Sequence, residues 1–150
     1  MIPKGSQAIG HLVTRIAQDL LPKASDAYTA TDLGYFTLLL TMVAQDYDRA
    51  ADLLVSEHAA LQPILRAAGA RLADPALQAR IAEALQMEAP SLKVSDLTAR
   101  ADVTMKLLIE VHAAVEDAEA AGADWARALN EDIWRFLGTH VAAHAYDVML

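Results

Sequence analysis

The stretch Thr29–Leu61, TATDLGYFTLLLTMVAQDYDRAADLLVSEHAAL, decides the fold. Leu33, Phe36, Leu40, Val43, Tyr47, Ala50, Leu54 and Leu61 recur at steps of three, four or seven, the spacing of one face of an α-helix. Thr29 with Asp32 three residues on resembles a capping box, and Pro63 marks the expected end or kink. The spacing therefore predicts one long helix. Its first half is apolar on nearly every side, because Tyr35, Leu38, Leu39 and Met42 widen the stripe. A helix of that kind must be covered on several sides.

Upstream, Ser6 is a predicted cap for a first helix with the stripe Ile9, Leu12, Val13, Ile16 and Leu20, stopped by Pro22. Downstream, Gly69 and Asp74-Pro75 form a stop and a restart, with Asp74 as cap and Pro75 as first residue of a shorter helix reaching about Glu88. Ser95 is expected to cap a fourth helix with Leu97, Ala101, Thr104, Leu108, Val111, Val115 and Ala118 inward, and Asp102, Lys106 and Glu110 outward. Gly122 and Asp124 form a tight turn into a fifth helix carrying Leu129, Ile133, Phe136, His140 and His144 and running close to Leu150. No segment alternates polar and apolar as a half-buried strand does. The expected fold is all-α: an up-and-down bundle of about five helices with a four-helix core, in one domain over residues 1–150.

Composition agrees with this and narrows the functions. Hydrophobic residues make up 55% of the chain, much of it Ala, against 5% aromatics, 6 Gly and 5 Pro, a mixture that favours helices over sandwiches. Twelve Lys and Arg against 20 Asp and Glu leave a net charge of -8, without the basic face that a nucleic-acid backbone requires. The absence of Cys excludes disulfides, thiolate nucleophiles and Cys-ligated zinc, and fits a cytoplasmic setting. Residues 1–13 do not read as a signal peptide, and the longest uncharged stretch, Leu33–Gln45, is too short to span a bilayer, so neither membrane nor nucleic acid is expected as a partner.

Two helices carry more apolar surface than one chain of this size readily covers: the first half of the long helix, and the last, where Leu137, Val141, Val148 and Trp134 extend the stripe. A homodimer is expected, with Leu38, Trp134 and Val141 in its interface.

Gly-rich phosphate loops, a Gly-x-Ser-x-Gly elbow, His-Glu-x-x-His and dinucleotide fingerprints are all missing. The chemistry that remains rests on histidines. His11 projects away from its helix's stripe, whereas His58, His112, His140 and His144 lie near the apolar centres of theirs. Carboxylates accompany them: Glu57 beside His58, Glu116 one turn after His112, and Asp147 on the arc of His140 and His144. Such side chains projecting from facing helices build metal sites in bundles.

His112-x-x-x-Glu116 followed by His140-x-x-x-His144 resembles part of the ligand set of the hemerythrin family, which implies a metal or oxygen-binding bundle with these four residues as ligands. The sequence departs from that family in the wide gap between the pairs and in having no His beyond His144. A hairpin turning at 122–124 sets His112 opposite Trp134 and His140 opposite Lys106, so the two pairs are expected to be offset by roughly 15 Å. Hydrogen-bonded histidines filling the bundle are the plainer reading. An apolar ligand pocket among Tyr35, Met42, Tyr47, His58, Met105 and Phe136 is a third possibility, since flexible thioethers and aromatics line such pockets. The sequence alone thus favours a non-enzymatic binding or interaction module acting as a homodimer, with a metal or oxygen-binding bundle and an apolar small-ligand binder as alternatives. It names no cofactor.

Overall fold

A computed structural model of the chain describes residues 4–147. It is an all-α helical bundle of five α-helices: α1 (Gly5–Arg15), α2 (Ala27–Gly69), α3 (Pro75–Gln86), α4 (Val94–Ala120) and α5 (Asp124–Ala143). Between α1 and α2 the chain passes through a π-helical turn, Ile16–Leu20, and a 3-10 turn, Leu21–Lys23, that takes up Pro22. No helix among the described residues is long and apolar enough to cross a membrane.

The backbone divides into two compact units: residues up to Ala50 together with those from Ala145 onward, and Ala51–His144. The long helix α2 contributes its first half to one and its second half to the other.

The core lies in the second unit. Its buried side chains come from four helices and one connection: Leu61, Ile64, Leu65 and Ala68 of α2; Leu72 between α2 and α3; Leu77, Ile81 and Ala84 of α3; Leu97, Leu107, Leu108, Val111 and Val115 of α4; Ala126, Leu129, Ile133 and Phe136 of α5. These positions carry the predicted stripes of α4 and α5. Thr104, the buried polar residue among them, is satisfied by the carbonyl oxygens of Arg100 and Ala101 at 3.2 and 3.1 Å. Pro63 does not end α2, which runs on to Gly69. The residues around Pro63 are buried, and their packing outweighs the one backbone hydrogen bond that proline removes.

Helix ends show where local chemistry was read correctly and where it was not. Asp74 caps α3 as expected, its Oδ1 accepting from the amides of Ala76 and Leu77 at 2.8 and 3.3 Å. Gly122, at φ +85°, closes α4 in a Schellman arrangement: its amide donates to Glu119 at 2.9 Å and that of Ala123 donates to Ala118 at 3.0 Å. At α2 the cap is Asp26 rather than Thr29: its Oδ1 accepts from the Thr29 amide and its Oδ2 from the Thr29 hydroxyl, both at 2.8 Å. These bonds, the backbone one first, hold the Asp26 carboxyl below its usual range. At α4, Ser95 lies inside the first turn. Ser91 ties the start instead, accepting from the Lys93 amide at 3.1 Å and donating to Asp96 at 2.6 Å. Ser6 likewise lies inside α1, whose N-terminus has no side-chain cap.

α5 ends at Ala143, short of the predicted Leu150, which lies outside the described residues. Residues 145–147 are held in the first unit by side chains of α2. Arg49 donates to the Ala145 carbonyl at 2.9 Å, the Gln45 amide group bonds the backbone of Asp147 through both its ends at 2.9 and 3.0 Å, and the Tyr146 hydroxyl donates to Asp46 at 2.7 Å. The bond to Asp46 raises the Tyr146 phenol above its usual range. With these groups paired externally, another helical turn has nothing to gain.

Candidate metal centre and its groove

The second unit draws together Glu57 of α2 with His140 and His144 of α5. Glu57 sits three residues after Leu54 and four before Leu61, so it projects on the inward stripe of α2 and is mostly buried. His140 and His144 are one turn apart on one face of α5, with ring centroids 4.6 Å apart. Both rings converge on one carboxylate oxygen. His140 Nδ1 lies 2.7 Å and His144 Nε2 2.8 Å from Glu57 Oε1. Phe136 stacks beside His140 at 6.3 Å, one turn earlier on α5.

As hydrogen-bond donors, the two rings carry their protons on the nitrogens facing Glu57. As metal ligands, they would carry them on the opposite nitrogens and offer lone pairs to the same point. One ligand atom from each of the three residues lies within 4.8 Å of the others, and no other such group of three occurs among the described residues. Ligands of a tetrahedral zinc ion at about 2.0–2.1 Å stand roughly 3.3–3.4 Å apart, so small side-chain adjustments admit an ion. Two imidazoles and one carboxylate are the protein ligands of open zinc sites and of non-haem iron(II) sites, where further coordination positions stay free.

Glu57 and His140 also line one end of a groove between α2 and α5 enclosing about 450 Å³. Its walls are Ala60, Pro63, Ile64 and Ala67 on α2 and Leu129, Phe136 and Ala143 on α5. The small side chains are the reason it is open, since larger ones at these positions would close the two helices' gap.

The other predicted ligands lie elsewhere. His112 Nε2 bonds Asn130 Oδ1 at 2.9 Å, and the Asn130 amide group donates to Glu119 at 2.7 Å. Glu116 stands 3.6 Å from His112 and is half exposed. His112 meets the Trp134 ring edge-on at 5.1 Å, the register expected from the hairpin. The four residues therefore split into two places: His140 and His144 meet Glu57, while His112 and Glu116 belong to a polar network between α4 and α5. Asp147 lies beyond the end of α5, its backbone bonded to Gln45.

His58 accepts from the Gln62 amide group at Nε2, 3.1 Å away, which puts its proton on Nδ1, a buried atom with no partner. Burial, and secondarily the nearby Arg100 cation, hold the His58 imidazole below the usual histidine range. Of the six residues proposed to line a pocket, Phe136 lines the groove, Met105 packs against the core, and Tyr35, Met42 and Tyr47 lie in the first unit. Leu38 is half-buried, and Trp134 and Val141 are exposed. Glu57 was legible as a carboxylate on an apolar stripe. Its partners, more than eighty residues away, were not.

Comparison with protein-family models, with curated proteins and with solved structures finds no match.

Proposed function

We propose that this chain is a metal-binding helical protein in which Glu57, His140 and His144 hold one divalent transition-metal ion, zinc or iron(II) by ligand type. The observation that carries this reading is the convergence of both imidazoles on one Glu57 oxygen at 2.7 and 2.8 Å. A cytoplasmic, reducing setting goes with it, given the absence of Cys.

Elemental mass spectrometry of the untagged protein, after equilibration with metal and dialysis, tests it. The expected result is one ion per chain, lost in Glu57→Gln and in His140→Ala and retained in His112→Ala. A metal-free wild type, or retention in the first two variants, overturns the reading.

A second reading, an interaction module acting as a homodimer, is favoured by the first unit. None of its described residues is buried, yet Phe36, Leu39, Val43 and Tyr47, one stripe of α2, are each more than half exposed. Such a stripe is suited to a second copy of the chain. Light scattering would detect a dimer, weakened by Leu39→Glu in α2 or by Trp134→Glu in α5. A clean monomer at high micromolar concentration would sink the idea.

A further inference from the structure

We infer that the groove beside Glu57 and His140 takes an apolar chain with a carboxylate head, the head completing the coordination of the metal ion; this rests on the metal reading above. The volume of about 450 Å³ lies within the ordinary range of small-molecule sites. From Glu57 to Ala67 the groove follows α2 for about 15 Å, long enough for an extended chain.

The polar groups lining it decide what it can recognise. Ser56 donates to the Leu53 carbonyl at 3.0 Å and Thr139 to that of Arg135 at 3.0 Å, while Arg135 and Asp132 pair with each other at 2.5 Å. Each of these has a partner within its own helix, and the Arg135 and Asp132 side chains are mostly exposed. Glu57 and His140 alone among the polar lining side chains are turned to a shared centre, and they occupy one end. The ligand is therefore polar at one end and apolar along its length, because the α2 wall of Ala60, Pro63, Ile64 and Ala67 offers no polar side chain to a group placed further along it.

Charge sets the nature of the head. A divalent ion held by one carboxylate and two neutral imidazoles keeps one positive charge, which an anionic oxygen donor neutralises. Without the ion, Glu57 repels the same anion. Ion and ligand are thus coupled, and each raises the other's affinity by the same factor.

The test uses the full chain loaded with cobalt(II), whose visible absorption reports its ligands, titrated with decanoate, acetate and 1-decanol below their aggregation limits. Decanoate is expected to change the spectrum and to bind on the order of tenfold or more tighter than either comparator, with the gain abolished on removing the metal. Ala60→Phe, which fills the groove, is expected to leave the cobalt spectrum of the ligand-free protein unchanged and to abolish decanoate binding. Cobalt binding with decanoate no better than acetate overturns the inference and leaves the metal reading standing. Equal decanoate affinity with and without metal overturns the placement of the head. Failure to bind cobalt overturns both.

Discussion

His58 shows what a single environment does to a titration. Its imidazole is held below the usual range, chiefly by burial, so on acidification the unfolded chain takes up the proton near pH 6.5 and the folded chain only further down. Stability is therefore expected to fall as pH drops through the window just below 6.5. His58→Gln should lose part of that slope, as read from urea midpoints between pH 7 and 5, and an unchanged slope would remove His58 from the account. Glu110 acts in the same sense at lower pH. Its carboxyl, held below the usual range by the two-pronged bond from Arg80, stabilises the fold above the ordinary carboxylate range, and the benefit is lost on acidification through its lowered value. The residue scale is also where sequence reading stopped short. That Glu57, His140 and His144 lie on the apolar sides of their helices follows from helical spacing, although His144, at the end of α5, is exposed. That one carboxylate oxygen receives both rings depends on how α2 and α5 are juxtaposed, and neither carries a local signal of the other.

At the scale of elements, stripes and caps were largely readable because helical periodicity is a property of neighbours three and four apart. The inward faces of α4 and α5, the Asp74 cap and the hairpin register linking His112 to Trp134 all follow from it. The misreadings share a cause: several hydroxyls and carboxylates stand near each helix start, and the chain's approach direction selects among them, Asp26 over Thr29 and Ser91 over Ser95. Two substitutions weigh these devices. Gly122→Ala places a Cβ at φ +85° and is expected to cost about 1–2 kcal/mol. Asp74→Ala removes two accepted bonds and is expected to cost about 1 kcal/mol. Chemical denaturation of each variant measures both; a loss near zero would mean that the hairpin or cap relaxes without strain.

For the whole molecule, the distribution of burial is the governing fact. Among the described residues, every buried one lies between Leu61 and Phe136, in the second unit. Ile133→Ala, at a fully buried site, is expected to cost about 2–5 kcal/mol, whereas Leu39→Glu, on an exposed stripe, should change the stability of the second unit by less than about 0.5 kcal/mol. The net charge of -8 adds a prediction for self-association: like-charged copies repel, and salt screens the repulsion, so a dimer should strengthen as ionic strength rises. Weakening with salt would point to an interface built on ion pairs instead.

The aromatic residues follow the same partition. All four tyrosines, Tyr28, Tyr35, Tyr47 and Tyr146, belong to the first unit, and both tryptophans, Trp125 and Trp134, to α5 in the second. The chain thus carries two intrinsic optical reporters, one for each unit. Excitation selective for indole follows the melting of the segment that holds the core and the Glu57 centre, while phenol absorbance follows the first unit, which holds none of it, without a label or an engineered probe.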